Sequence, residues 1–449
     1  MNKLIKLGLI LSVALSIPTT TSAQESASPS QTLFKNISIF NGTDDQLIAG
    51  KDVLIEGNLI KAVGSGLAVA ADVHVIDGGG RTLMPGIIEA HGHISLPVPL
   101  DQVAEQVDWQ YLGIGAAVNA EFYLMNGWTT VRDVGGPVFG IKKAVDEGLV
   151  PGPRIYPSGR FLSQTSGHAD VRAGFASPHP NDLPVEPWVN REFFALADGV
   201  PEVLRATREE LRKGAVHIKL MAGGGIASQY DPIHTNQYLP AEIEAAVAAA
   251  DDWGTYVMVH AYTDVSVRRT IEAGVKVIEH GQLMTEETAR LAAEKDVWLS
   301  TQIAFLGEPP TPEQIAVFGE TVAAKFNQVR NGVETSIKFA KQHGIKIAFG
   351  TDLWGPRLPE INNEFEYRSR YFSNLEVLQQ ATSINGELLR LTGPLNPYPD
   401  GPIGVIEKGA YADILLVDGN PLDDVTILVD ASNIDLVMKD GVIYKDKQD

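Results

Sequence analysis

The first candidates for chemistry are His91 and His93, which a single glycine separates. Alternate residues of a β-strand lie on the same face, so both imidazoles are expected to point the same way. Two imidazoles placed in this manner can bind one metal ion. An HxH motif is a weak signal by itself, and its interpretation depends on what the rest of the chain contributes.

Three further residues of metal-ligand type close apolar runs of the sequence. These runs are 256–260, 275–280 and 345–352, and they end at His260, His280 and Asp352. In a parallel barrel the carboxyl ends of the strands meet at one face, where catalytic groups lie. One such residue alone would be interpreted as an ordinary hydrogen-bonded loop residue. Together with the HxH pair, the three residues predict a common metal site.

Lys219 lies near the end of another apolar run, 216–221. Burial disfavours the charged form of a lysine and lowers its pKa. The neutral amine can react with carbon dioxide to give a carbamate, whose two oxygens can bridge two cations. The alternative is an ion pair between Lys219 and an acid such as Asp352. Beside five candidate ligands, the sequence favours N6-carboxylysine at Lys219, and His217 is expected to be a core or supporting residue.

These residues require a scaffold that brings strand ends together. From Leu83 onward, strand-like runs alternate with segments of helical period, such as 240–253, 264–273 and 286–295. Eight strand–helix units predict an α/β fold, a distorted (β/α)8 TIM barrel. A Pro- and Gly-rich insertion, 164–191, follows the third strand. The eight strands are expected to end near His93, Val134, Phe161, Met221, His260, His280, Gln302 and Asp352.

Short β-like runs flank the predicted barrel on both sides. They cover 33–40, 52–56, 59–63 and 73–77 before it, and 412–417, 434–438 and 442–444 after it. The simplest account pairs them in one small β-sandwich domain formed from both the N- and C-terminal segments. The predicted division is a first β-sandwich segment at 24–86, the metal-dependent hydrolase barrel at 87–393 and a second β-sandwich segment at 394–449.

Residues 1–23 show the pattern of a signal peptide: Lys3 and Lys6, an apolar stretch, and small residues up to Ala23. We expect a periplasmic or secreted protein after cleavage near Ala23. The apolar stretch is too short to favour a membrane anchor, although an uncleaved anchor is the alternative. The absence of cysteine excludes disulfides, and the net charge of −20 argues against nonspecific binding of nucleic acid or anionic membranes.

The motifs HGH, HIKLMAGGG, VHAY, EHG and GTD, in this order, resemble the amidohydrolase superfamily. The resemblance covers nearly all of the chain after the signal peptide. Segments 166–170 and 221–228 are most similar to a branch with imidazolonepropionase-like proteins, Xaa-Pro and Xaa-Arg/Lys dipeptidases of carboxypeptidase type, and ochratoxin-degrading amidohydrolases. Imidazolonepropionase itself lacks the bridging lysine, so Lys219 favours the two-metal members.

The resemblance implies a homo-oligomeric amidohydrolase with two divalent metal ions, expected to be zinc, and a hydroxide between them that attacks an amide. Asp352 would pass the proton to the leaving amine. The leading substrates are N-acyl amino acids or dipeptides with a free carboxylate, including ochratoxin A, which would give ochratoxin alpha and phenylalanine. The alternatives are a cyclic-amide or lactone hydrolase, and a non-catalytic binding protein. The implied ligands are His91, His93 and Asp352 for the buried metal, His260 and His280 for the second metal, and carboxylated Lys219 as the bridge.

Loop residues near the barrel mouth are the candidates for contact with a small-molecule substrate. His168 is expected to stabilise the developing oxyanion or to bind the substrate, against the alternative of a loop histidine without a role. The N–H groups of Gly223–Gly225 would either cradle a carboxylate or only provide a tight turn. The expected substrate contacts are His168, Arg172, Gly224, Ser228 and Tyr230.

Overall fold

The computed structural model describes residues 30–99, 107–172, 192–228 and 230–447, except for the side chains of residues 317 and 318. The predicted signal peptide, residues 24–29 and most of the insertion after the third strand lie outside these ranges. Within them, no helix is both long and apolar enough to cross a membrane.

Between residues 30 and 86, the first described part of the chain, there are seven short strands. They are β1 (Gln31–Lys35), β2 (Ser38–Ile39), β3 (Ile48–Ala49), β4 (Asp52–Glu56), β5 (Leu59–Gly64), β6 (His74–Asp77) and β7 (Thr82–Pro85). The expected strands lie where the sequence predicts them, apart from the first. That run is divided in two because Asn36 adopts a left-handed backbone conformation, with φ of 52°.

Parallel strands build the barrel wall. They are β8 (Ile87–Gly92), β9 (Trp128–Asp133), β10 (Arg154–Pro157), β11 (Phe161–Ser163), β12 (Phe194–Leu196), β13 (Ile218–Met221), β14 (Val257–Thr263), β15 (Val277–Leu283), β16 (Trp298–Thr301) and β17 (Ile347–Phe349). Their order is β10-β9-β8 in one sheet and β12-β11-β13-β14-β15-β16-β17 in the other. The chain after β17 returns to β8, where the Asp352 N–H donates to the His91 carbonyl at 3.1 Å.

Helices cover the outside of this wall, and the three predicted from periodicity are confirmed as α4, α5 and α6. The helices are α1 (Trp109–Met125), α2 (Phe139–Asp146), α3 (Val200–Lys213), α4 (Pro240–Asp251), α5 (Asp264–Glu272), α6 (Glu286–Glu294), α7 (Pro312–Arg330), α8 (Val333–His343), α9 (Asn363–Ser369), α10 (Asn374–Gln379) and α11 (Asn385–Leu389). A π-helical turn covers Gln380–Ile384, and 3-10 turns cover Ala304–Leu306, Gly355–Glu360, Arg390–Leu395, Val425–Val429 and Ala431–Asn433.

The third barrel strand corrects the prediction. Phe161 was expected near its end, but it begins a second segment, β11, that pairs with β13, whereas β10 pairs with β9. Gly159 lies between the two segments with φ of 75°, and a Cβ there would lie 2.3 Å from the Glu210 carboxylate. This close approach in the left-handed region requires glycine and breaks the strand, which distorts the barrel.

The last three strands return to the N-terminal sheets. They are β18 (Ile414–Val417), β19 (Ile434–Lys439) and β20 (Val442–Asp446). One sheet has the order β20-β19-β18-β7-β2-β3 and therefore combines both ends of the chain, and a second has the order β5-β4-β1-β6. Buried residues of both sheets, such as Phe34, Val53 and Leu416, share one apolar core. The fold is thus a distorted (β/α)8 barrel with a small β-sandwich, and the division at residues 86 and 393 stays a prediction.

Candidate metal centre

Three residues of the predicted metal site converge at the carboxyl end of β8. Asp352 Oδ1 lies 3.5 Å from His91 Nε2 and 3.2 Å from His93 Nε2. One ligand atom from each of the three side chains lies within 4.8 Å of the other two. This spacing would allow the three residues to bind one metal ion.

Partners on the far side of each ring orient the two histidines. His91 Nδ1 lies 2.6 Å from a Glu279 carboxylate oxygen, and since a carboxylate only accepts, the imidazole donates. His93 Nδ1 donates to the Gly135 carbonyl at 3.3 Å. Both Nε2 atoms are therefore unprotonated in the neutral rings, which is the form that a metal ion requires.

His260 and His280 extend this cluster along the neighbouring strands. Their ring centroids are 4.5 Å apart, and the His280 ring lies 5.1 Å from that of His91. The two histidines lie within β14 and β15 rather than at the strand ends that the sequence suggests. His280 and Asp352 have left-handed backbones, with φ of 81° and 56°. Such strain in residues other than glycine is concentrated at functional sites.

Lys219 is fully buried in β13. Burial, together with the positive charge of Arg132, lowers the pKa of its amine to about 8, although Glu279 and Asp352 act in the opposite direction. Within the described residues, no carboxylate lies at ion-pair distance from the amine, and Asp352 contacts the histidines instead. The alternative of a simple Lys219–Asp352 ion pair is therefore not observed, and the amine is more easily deprotonated than that of an exposed lysine, which favours its reaction with carbon dioxide.

The charge states of the cluster suit a divalent cation. Burial lowers the pKa of His91 to about 4 and holds the pKa of His260 and His280 well below the usual range. Burial acts to raise the pKa of Asp352, but the neighbouring His91 and His93 hold it below its ordinary value. Neutral imidazoles and an ionised carboxylate are the forms that coordinate metals, so these residues fit a metal site.

Sequence reasoning missed the buried acid that supports His91. Glu279 also pairs with Arg132 at 2.5 Å, and Arg132 in turn contacts the Ala90 carbonyl at 2.6 Å. Neighbouring residues of a regular strand point to opposite faces, so Glu279 and His280 were not expected to serve one site. The left-handed backbone of His280 breaks that alternation.

A second buried acid that the sequence did not indicate, Glu89, connects the first and last strands of the barrel below the site. It accepts hydrogen bonds from the His91 N–H at 2.7 Å, the Thr351 N–H at 2.9 Å and the Thr351 hydroxyl at 2.7 Å. Burial raises its pKa to about 7 despite these bonds. Glu89 therefore fixes the two segments that carry His91 and Asp352 relative to each other.

His168 lies over the predicted second-metal ligands. Its ring stacks on His260 with centroids 4.1 Å apart and an interplanar angle of 16°. Its Nδ1 lies 2.7 Å from the Ser228 hydroxyl and 3.1 Å from the Asp231 carboxylate. Ser228, which was expected to contact substrate, is thus a partner of His168. The sequence did not indicate a role for Tyr262. Its ring centroid lies 4.8 Å from those of both His260 and His280.

The remaining predicted substrate contacts have different surroundings. The Gly224 and Gly225 N–H groups donate to the Thr235 carbonyl and to Asp231, so the expected backbone cradle for a carboxylate is not formed by them. Arg172 forms a two-point contact with Asp170 at 2.7 and 2.6 Å. Tyr230 is 47% exposed. The substrate-binding roles of Arg172 and Tyr230 stay predictions.

An apolar cluster lies beside the predicted metal ligands. The Phe161 ring is 5.5 Å from that of His93, and Trp354, two residues after Asp352, packs against the same cluster. The buried members at this side include Leu96, Phe161, Phe193, Phe194 and Met221.

Comparisons with known proteins agree with this arrangement. A model of the Amidohydrolase family matches residues 82–444. Ochratoxinase of Aspergillus niger is 30% identical over 342 residues, which are 72% of this chain and 66% of that enzyme, so the match spans just under two thirds of its length. The structure of an amidohydrolase, 38% identical, has a TM-score of 0.84 and covers 94% of this chain and 100% of its own. The structure of a prolidase complexed with N-methylphosphonate-L-proline, 33% identical, has a TM-score of 0.83 with coverages of 93% and 100%.

Proposed function

The chain belongs to the amidohydrolase family, and we propose that it hydrolyses the amide bond of N-acyl amino acids or dipeptides that carry a free carboxylate. The observation that carries the proposal is the convergence of His91, His93 and Asp352 within 4.8 Å of one another. The likeness to a prolidase and to an ochratoxinase supports this class of substrate.

We propose that this cluster holds two divalent metal ions, with zinc as the expected element. His91, His93 and Asp352 would hold the first, His260 and His280 the second, and Lys219, as N6-carboxylysine, would be shared by both. When bound, such ions lower the pKa of water and polarise a carbonyl oxygen. The neutral histidines and the depressed pKa of Asp352 support the assignment.

Asp352 would move the proton during amide cleavage. Its carboxylate is ionised at neutral pH, because its histidine neighbours outweigh the effect of burial on its pKa. An ionised carboxylate can accept the proton of the attacking water and deliver it to the leaving nitrogen. Without this proton the nitrogen would have to leave as an unstable amide anion, so cleavage of an amide requires its protonation.

Two side chains at the mouth would stabilise the negative charge that develops on the amide oxygen. His168 Nδ1 is engaged by Ser228 and Asp231, so Nε2 is the ring nitrogen that would contact the amide oxygen. The pKa of Tyr262 is well above its usual value, through burial and the nearby charges of Asp352 and Asp231, so its hydroxyl stays protonated. Donors held in a buried site stabilise an oxyanion strongly.

The apolar cluster next to His93 favours substrates with an aromatic or aliphatic group at this side. Phe161 and Trp354 contribute to it. An acyl-phenylalanine amide such as ochratoxin A meets both requirements, since it carries an apolar side chain and a free carboxylate. A cyclic-amide or lactone hydrolase is the second candidate, because the same ligand set could serve it.

The test is a substrate panel for the purified mature protein. Xaa-Pro, Xaa-Phe and Xaa-Arg dipeptides, ochratoxin A, cyclic amides and lactones would be incubated with and without a chelator. We expect cleavage of linear amides with apolar groups, abolished by the chelator and by His260→Asn. The matched control is His74→Asn, an exposed histidine of the β-sandwich, which should keep full activity. Turnover of lactones or cyclic amides alone would contradict the proposal.

We also propose that the protein is exported after cleavage near Ala23 and forms a homo-oligomer. N-terminal sequencing of the cell-free fraction should start at Gln24, and sedimentation should give a mass that is a multiple of the mature chain. An uncleaved chain in the membrane fraction would contradict the first proposal, and a monomer the second.

A further inference from the structure

Lys325 is a buried cation to which the proposed reaction assigns no function. It lies in α7, after the interruption of that helix at Gly319, and its ammonium group reaches the loop between β13 and α4. The ammonium lies 3.0 Å from the Gly225 carbonyl, 2.8 Å from that of Ser228 and 2.9 Å from that of Asp231. All three of its N–H groups therefore have an acceptor in a single loop.

The arrangement of the loop depends on this cation. Three carbonyl oxygens that face one point repel each other unless a positive charge lies between them. The Asp231 carboxylate is also near, at 3.8 Å from the Lys325 ammonium. Lys325 thus neutralises a cluster of negative dipoles and one charge in a region with little access to water.

The inner side of the same loop holds His168. Asp231 accepts the Gly225 N–H at 2.7 Å, receives the hydroxyl proton of Ser228, and lies 3.1 Å from His168 Nδ1. The Ser228 hydroxyl itself is 2.7 Å from that nitrogen. Ser228 and Asp231, whose carbonyls Lys325 binds, are therefore also the residues whose side chains orient the imidazole.

The backbone around His168 is equally constrained. Its N–H donates to Gln237 Oε1 at 2.8 Å, and the Gln237 amide lies 3.4 Å from Asp231. A Cβ at Gly225 would lie 1.8 Å from His168 Cε1, so the loop backbone contacts the ring directly. A movement of the loop by about an ångström would displace the imidazole, because the packing leaves no room for it to stay.

We propose that Lys325 is a positioning residue that fixes Gly225, Ser228 and Asp231 relative to one another, so that the Ser228 and Asp231 side chains hold His168 in one orientation over the metal centre. The proposal rests on the proposed function in one respect, since the role of His168 in amide cleavage is assigned there. Lys325 does not contact the reacting atoms and acts only through the loop.

The first test does not depend on activity. Hydrogen exchange of the amides in 222–237 would be compared in wild type, Lys325→Met and the control Lys338→Met, which changes an exposed lysine of α8. We expect exchange in this segment to rise at least tenfold in Lys325→Met, with metal content and the exchange of β8 unchanged. Lys338→Met should match wild type. Unchanged exchange in Lys325→Met would overturn the proposal.

The second test separates positioning from general damage. On the best amide of the panel, we expect Lys325→Met to lower kcat tenfold to a hundredfold while KM stays within twofold, because an oxyanion contact acts only in the transition state. In a His168→Gln background, Lys325→Met should have no further effect on kcat. Multiplicative losses in the double variant would overturn the proposal.

A third variant guards against a folding defect. Lys325→Gln retains N–H donors for two carbonyls and should give exchange and kcat between those of wild type and Lys325→Met. If Lys325→Met does not fold, the hydrogen-exchange and kinetic measurements are made on Lys325→Gln instead. If the wild-type protein cleaves no amide, the proposed function fails, whereas the exchange experiment still decides whether Lys325 fixes the loop.

Discussion

His91 donates its Nδ1–H to Glu279 at 2.6 Å, and the other oxygen of that carboxylate pairs with Arg132 at 2.5 Å. The acid thereby fixes the tautomer and the orientation of a metal ligand, and a buried guanidinium keeps it ionised. Burial alone would raise the pKa of Glu279, but Arg132 and His91 hold it well below its usual range.

Glu279→Gln should therefore weaken metal binding without removing a ligand. Loss of a supporting carboxylate typically lowers metal affinity about 10- to 100-fold. Competition with a chelator of known affinity measures this, and the control Glu287→Gln changes an exposed acid of α6. Equal affinity in Glu279→Gln and wild type would show that Glu279 does not orient His91.

Lys219→Ala should lose most activity and one or both metals, because the proposed shared ligand is removed. A short carboxylic acid such as propionate should fill the space left by the side chain and restore part of the activity. Rescue is measured against propionamide, which has a similar shape without the charge. Equal recovery with both additives, or none with propionate, argues against an anionic bridge.

Asp352→Asn should lower kcat by at least a hundredfold on amide substrates, since an amide side chain cannot accept and deliver the proton. Esters of the same acyl group should suffer less, because an alkoxide leaves more readily than an amide anion. The comparison needs metal content to be measured in parallel, as Asp352 is also a proposed ligand. Wild-type kcat in a fully metallated variant would exclude the proton transfer.

Acid should destabilise the metal-free protein. Burial lowers the pKa of His217 to about 3, below the value near 6.5 expected in the unfolded chain. Between these values the unfolded state binds a proton that the folded state does not, so stability falls as pH decreases from about 6.5. Glu89 and Asp133, with pKa values raised to about 7 and 6, act in the opposite sense. They are outnumbered by the buried histidines, which are His91, His217, His260 and His280.

Urea unfolding of metal-free protein at pH 7, 6 and 5 measures this dependence. The variant His217→Gln removes the contribution of one histidine. Its free energy of unfolding should change less steeply with pH than that of wild type, by up to ~1.4 kcal/mol per pH unit. Parallel slopes for the variant and wild type would show that His217 is not buried in its neutral form.

The sequence was sufficient to predict the barrel and the convergence of His91, His93 and Asp352, because ligand-type residues after apolar runs share one end of a parallel sheet. It was insufficient where backbone conformation breaks that regularity. The left-handed His280 places Glu279 and His280 in the same site, and Gly159 divides the third strand. Neither effect is visible in residue types alone.

Long-range contacts account for the other omissions. Lys325 lies in a helix almost a hundred residues after the loop that it contacts, and Asp231 has the appearance of an ordinary loop acid. The predicted role of the Gly223–Gly225 segment also depended on such contacts. Its N–H groups at Gly224 and Gly225 are used within the protein, and the absence of a side chain at Gly225 allows the close approach of His168.

The proposed chemistry depends above all on a carboxylated Lys219 that two metal ions share. Purified mature protein, prepared with 13C-labelled bicarbonate, would be examined by elemental analysis and by carbon NMR of the same sample. We predict close to two divalent metal ions per chain and one carbamate signal that is absent in Lys219→Ala. One metal ion per chain with an unmodified Lys219 would contradict this prediction.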